Sequence, residues 1–66
     1  MKVIINGTQK EIQQEQTLLE LLAELGLSDK VMAAAVNMQI VKQNEWQTFR
    51  LQEGDKLELL DFVGGG

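Results

Sequence analysis

Four residue types are missing from this sequence: it has no cysteine, no histidine, no proline and no tyrosine. Without cysteine there is no disulfide framework, no thiolate nucleophile and no thiolate metal site. Without histidine the chain also lacks the commonest general base and the commonest metal ligand. Aromatic residues are scarce, leaving Trp46, Phe49 and Phe62 as the large pieces of any core. Basic residues are few, six against ten acidic ones, for a formal charge of -4. That balance argues against a protein that gains affinity by neutralising nucleic-acid phosphates, and it suits one that meets a basic protein surface. No apolar run approaches the ~20 residues of a membrane span, and no charged-then-apolar leader opens the chain. The expected setting is therefore cytoplasmic, with neither nucleic acid nor membrane as a partner. Sixty-six residues make one small domain, and a chain of that size buries only about 60% of its extended surface.

What is present reads as a sheet with one helix. Lys2 to Asn6 is rich in β-branched residues and begins a strand. Asn6-Gly7 is a strong hairpin signal, since both residues tolerate the positive φ of a type I′ turn. The returning strand, Thr8 to Gln13, is polar except at Ile12. Thr17-Leu-Leu-Glu20 has the form of a capping box, in which the hydroxyl of Thr17 and the carboxylate of Glu20 each satisfy an amide of the other's turn. Leu18, Leu21, Leu22 and Leu25 then follow at helical spacing, and Gly26 with Leu27 predicts a Schellman stop. Val31 to Val36 predicts a buried strand whose alanines face the helix. A tight turn through Met38-Gln39 and a short strand at Ile40-Val41 follow. Asn44 predicts the cap of a single helical turn that places Trp46 and Phe49 at one end of the core. Gly54 sits in a turn, and Lys56 to Val63 is the last strand. It is apolar on both faces, so it is central in the sheet or else one face serves a partner; the expected place is beside the first strand and parallel to it.

The chain closes on Gly64-Gly65-Gly66. Glycine offers no side chain to pack and is costly to order, so such an end is either a frayed terminus or a thread for a narrow partner site that excludes any Cβ. No chemistry of the chain's own competes with the second possibility. There is no Ser-centred nucleophile constellation and no glycine-rich phosphate cradle, and no helix follows the glycines to aim amides at a phosphate. Glu11 and the Glu58/Asp61 pair are acid/base candidates only in the weakest sense; solvated surface acids are the ordinary reading. The remaining reactive group is a carboxylate on Gly66, which needs activation by another enzyme.

The order of these pieces resembles the ubiquitin-like β-grasp fold, and more closely the ThiS family of bacterial sulfur carriers. The resemblance rests on Ile5-Asn6-Gly7, the Thr17-to-Leu22 helix, Val36-Asn37 through Ile40-Val41, Trp46, and Gly54 to Gly66. It implies an α+β fold, a mixed four- to five-stranded sheet packed on one main helix, with residues 1–63 as the domain and 64–66 as a flexible glycine tail. It also implies that the chain is not an enzyme but a substrate and carrier. A ThiF-like adenylating enzyme would consume ATP and Mg to activate Gly66, and a persulfide donor enzyme would convert it to a thiocarboxylate. A ThiG-like thiazole synthase would then take the sulfur for the thiazole ring of thiamine. On this pattern Gly66 is the modified residue, Gly64 and Gly65 enter partner active sites, and Phe62 and Leu60 contribute to docking. No cofactor is held stably, and the free protein is expected to be a monomer. The alternatives are the small subunit of molybdopterin synthase, a thiocarboxylate carrier for another pathway, and a noncatalytic ubiquitin-like module or modifier.

Overall fold

In a computed structural model, residues 1–61 are described, and they form a five-stranded mixed sheet with one α-helix on one face. The strands are β1 (Lys2–Ile5), β2 (Thr8–Glu11), β3 (Val31–Val36), β4 (Gln39–Val41) and β5 (Lys56–Asp61), and the helix is α1 (Leu18–Glu24). The sheet order is β2-β1-β5-β3-β4. Strand β5 is central, parallel to β1 and antiparallel to β3. This is the expected β-grasp arrangement.

The β1–β2 hairpin turns where its sequence predicts, with Asn6 at φ 48 and Gly7 at φ 86. Its return strand ends at Glu11, two residues short of the expected Gln13, yet Ile12 remains paired by backbone bonds to Met1 and is buried. Helix α1 is specified at both ends. The capping box is complete: Glu20 N–H donates to Thr17 Oγ1 at 3.1 Å, and Thr17 N–H donates to Glu20 Oε1 at 2.9 Å. The amides of Leu18 and Leu19 donate to the carbonyls of Phe49 and Trp46, so the helix start is also tied to a distant loop. At the other end Leu27 N–H donates to Leu22 O and Gly26 N–H to Ala23 O, with Gly26 at φ 74, which is a Schellman stop. Leu18, Leu21 and Leu22 are fully buried, whereas Leu25 and Leu27 lie half-buried against the same core.

The core is completed from the sheet by Val3, Ala34, Val36, Leu57 and Leu59, and from the loop by Trp46 and Leu51. Trp46 is buried and its indole N–H donates to Val41 O at 2.9 Å, so its polar edge is satisfied inside. The 3₁₀ turn before it spans Gln43–Glu45 and is flanked by Lys42 without a side-chain cap. Asn44 therefore lies inside the turn and not at its cap. No helix of the described residues is long and apolar enough to cross a membrane.

Two expectations about β3 need correction. Of its three central alanines only Ala34 faces the helix side; Ala33 and Ala35 lie half-exposed on the open face, as strand alternation requires. The turn into β4 is made by Asn37 and Met38, at φ 52 and 73, not by Met38 and Gln39. Both residues take the left-handed conformation, which suits asparagine but strains a methionine. Met38 is also 88% exposed, so no packing repays that strain. Met38→Gly should raise stability by about 0.5–1 kcal/mol, read as a shift in urea midpoint at constant slope.

Candidate functional site

Strand β5 is the element that leads toward the closing glycines, and its surroundings differ on its two faces. Leu57 and Leu59 point into the core, while Glu58 and Leu60 point out from the face that carries no helix. Register places Ile40, Ala35 and Glu58 in one row across β4, β3 and β5, and Ala33 beside Leu60 in the next row toward the end of β5. Large side chains at the sides and alanine between them make a shallow groove of about 270 Å³. Leu60 is 57% exposed and Ile40 71% exposed, so both walls of the groove present apolar surface to solvent. Glu58 supplies the single charge among the lining residues.

The pairing with β3 shifts register where β5 ends. Opposite Leu60–Asp61, β3 runs from Ala33 back to Val31, and the additional residue Met32 marks a β-bulge. Bulges increase local twist and re-aim the chain. Met32 itself is 55% exposed and borders a separate hollow with Ser28, Asp29 and Gln43. A larger hollow of about 550 Å³, lined in part by Met1, Glu15, Arg50 and Glu53, lies beside the start of β1, at the opposite end of β5 from Asp61. Its lining mixes both charges without converging them.

Backbone and side-chain bonds hold β5 from both sides. On one side, β3 pairs with it from Leu57 to Asp61. On the other, β1 pairs with it only at Lys56 and Leu57, because β1 gives way to its turn after Ile5. Asn6 continues the ladder with its side chain: Leu59 N–H donates to Asn6 Oδ1 at 2.9 Å, and Asn6 Nδ2 donates to Leu59 O at 3.4 Å. At the start of β5, Asn37 plays a similar part from the β3 side, accepting from Lys56 N–H at 3.0 Å and donating to Asp55 Oδ1 at 3.0 Å.

Of the residues that the sequence singles out, Leu60 lies exposed on the open face as expected. Phe62, Gly64, Gly65 and Gly66 lie outside the described residues, as does the boundary drawn at residue 63. Three residues of the groove, Ala33, Ala35 and Ile40, escaped the sequence reading. A signal existed, since Ala-Ala-Ala in a strand must place at least one alanine on each face, but only the register shows what lies beside them. Glu58, weighed as an acid, is an exposed side chain at the groove's edge. Trp46 belongs to the core. Among the described residues, no group of His, Cys, Asp and Glu is arranged to hold a metal ion.

Comparison with known proteins now adds to this geometry. The ThiS family model matches residues 3–66. The sulfur carrier protein ThiS of Escherichia coli is 32% identical over 66 residues, covering the whole of both chains. A thiazole synthase of Paramagnetospirillum magneticum is 36% identical over 66 residues, which is all of this chain but 20% of that protein. A thiazole synthase of Magnetococcus marinus matches at 33%, again over 20% of its length. The chain thus spans about a fifth of these two relatives. A crystal structure of a thiamine biosynthesis protein (ThiS) from Geobacter metallireducens superposes with a TM-score of 0.83 at 24% identity over the whole of both chains, a likeness of fold.

The two faces of β5 predict opposite responses to the same substitution on adjacent residues. Leu59→Ala should cost about 2–4 kcal/mol, because it empties a core position. Leu60→Ala should change stability by no more than about 0.5 kcal/mol. Urea unfolding of the two variants measures the contrast.

Proposed function

The chain belongs to the ThiS family, and on that premise we propose that it is a sulfur carrier of thiamine biosynthesis, modified at Gly66 and acted on by partner enzymes. The observation that carries the reading is the position of β5. It is the central strand, held from both sides, and it runs toward three glycines that present no side chain. A fixed base with a slender extension suits delivery of a reactive end into a narrow, water-excluding site.

The chemistry is that of acyl activation, with Gly66 bearing the reacting carboxylate. A carboxylate oxygen attacks the α-phosphorus of ATP in the partner's active site, with Mg neutralising the phosphates, and pyrophosphate leaves. The acyl carbon of the adenylate is then attacked by a persulfide sulfur of a donor enzyme, and AMP leaves. A second thiol cleaves the resulting sulfur–sulfur bond and frees a thiocarboxylate on Gly66. In this scheme the carrier supplies a substrate group and a surface, and the partners supply every proton transfer. The absence of histidine and cysteine from the chain is consistent with that division.

The apolar groove is the docking surface in this reading. An apolar side chain of an adenylating enzyme would seat over Ala33 and Ala35 between Leu60 and Ile40, and a basic side chain would meet Glu58. Phe62, two residues after Leu60 in the sequence, would extend the contact, while Gly64 and Gly65 would occupy the entrance to the partner's site. The net acidic charge favours encounter with basic partner surfaces.

A thiazole synthase is the proposed acceptor of the sulfur. Two thiazole synthases contain a stretch that matches this whole chain. Joining two modules that must meet raises their effective concentration, which gives such an arrangement a physical purpose if the carrier delivers to the synthase. The same matches favour the thiamine role over the small subunit of molybdopterin synthase.

Intact mass after incubation with ATP, Mg, the adenylating enzyme and a persulfide donor tests the proposal. The expected gain is the difference between one sulfur and one oxygen atom, localised by fragmentation to Gly66. No gain with partners that are active on another carrier overturns it. Leu60→Asp should leave the fold intact and weaken binding to the adenylating enzyme about tenfold or more, measured by titration calorimetry.

A further inference from the structure

The side chain of Asn6 does something that the turn it occupies does not require. A type I′ hairpin needs positive φ at its two central residues, and asparagine satisfies this with its backbone alone. Its carboxamide turns instead toward β5, accepting from Leu59 N–H at 2.9 Å and donating to Leu59 O at 3.4 Å. In doing so it presents one acceptor and one donor to the strand, as a peptide group of a longer β1 would. Its own backbone N–H donates to Leu57 O at 2.9 Å, so the backbone and side chain of one residue bind β5 at two successive β1-facing positions.

This contact falls where β5 has least support. Strand β1 pairs with β5 only at Lys56 and Leu57, so from Glu58 onward β5 runs past the end of its parallel neighbour. On the opposite flank β3 follows β5 to Asp61, but through a bulge at Met32. Asn6 thus secures the half of β5 that leads to the glycines, two residues before the last described position.

We infer that Asn6 is a positioning residue of the carrier: its side chain extends the β1–β5 ladder to Leu59 and so fixes the base from which the glycine end is presented to partner enzymes. The inference rests on the carrier reading and adds to it a residue of the hairpin turn that also borders the docking groove, so exchange at Leu59 is what separates its hold on β5 from direct contact with a partner. The physical reason is entropic. Fixing the backbone of one residue costs about 1–2 kcal/mol, so a base already immobilised spares the partner that cost on binding. Releasing even one residue of the base should therefore weaken productive binding about tenfold.

Asn37 provides a matched control. It has the same residue type, a similar φ of 52, and the same acceptor role, but it holds Lys56 N–H at the remote end of β5. Glycine replaces either asparagine without backbone strain, because it accepts positive φ. In the full-length chain, Asn6→Gly should speed amide hydrogen exchange at Leu59 about fivefold or more and leave Lys56 within about twofold; Asn37→Gly should do the reverse. In ATP–pyrophosphate exchange by the adenylating enzyme, Asn6→Gly should raise the KM for the carrier about tenfold with kcat little changed, while Asn37→Gly stays within about twofold. Asn6→Asp, which keeps an acceptor for Leu59 N–H and tolerates the same φ, should recover part of both losses. Measurements below the melting transition of both glycine variants separate positioning from unfolding. Unchanged exchange at Leu59, or equal KM effects of the two glycine variants, overturns the inference. Absence of any turnover with the unsubstituted chain overturns the carrier reading instead, since exchange at Leu59 reports the hold of Asn6 without an enzyme.

Discussion

Strand β5 takes hydrogen bonds from both sides, and the other elements are arranged by that requirement. A central strand must satisfy its amides and carbonyls along both edges, because each buried group left unpaired costs on the order of 1–3 kcal/mol. β3 meets the demand along one edge from Leu57 to Asp61. β1 meets it along the other for two residues, and the asparagine of its turn continues. The hairpin, the β3–β4 turn and the loop before β5 all converge on this strand through Asn6, Asn37 and Asp55. Helix α1 then covers one face, where Leu57 and Leu59 join its buried leucines.

The second consequence is a sheet with one covered face and one open face. A chain of this size has apolar residues enough for a single core, and it spends them on the helix side. The open face nonetheless keeps Leu60 and Ile40 exposed around two alanines. Side chains of this kind would gain by burial, and an open apolar groove next to the end of the central strand is where a partner can supply it. The edges of the sheet are less inviting: β2 is polar throughout, and β4 has three residues. The edges therefore offer little to strand addition, whereas the open face offers apolar surface.

Helix α1 and the hairpin were legible residue by residue because their signals are local. A capping box, a leucine stripe, a Gly-Leu stop and an Asn-Gly pair each act within one turn of chain, and no distant contact overrides them. The central, parallel place of β5 could also be read, since a strand apolar on both faces has to be covered on both or face a partner. Less legible was everything decided between strands. Asn44 carries a cap signal, yet the 3₁₀ turn is flanked two residues earlier, by Lys42, and leads into a Trp46 whose indole N–H donates to Val41 O. The three alanines of β3 carry no sign of which faces the core. Their alternation is set by register with β5, and a shift of one residue would exchange the two faces.

The sequence by itself determined the class of the fold, its single helix, its chemistry-poor composition and its glycine end. These follow from residue types and short-range spacing, and the ThiS resemblance rests on the same stretches. Only the tertiary structure decided that Ala33, Ala35, Ile40 and Leu60 share one surface, that a bulge at Met32 lies at the end of β5, and that Asn6 bonds to a residue more than fifty positions away. Cross-strand neighbours come from different parts of the chain, and their pairing depends on register and overhang that no local pattern records. The place of β5 is decided in the same way: the glycines that follow it are written in the sequence, but the strand itself is positioned by its neighbours.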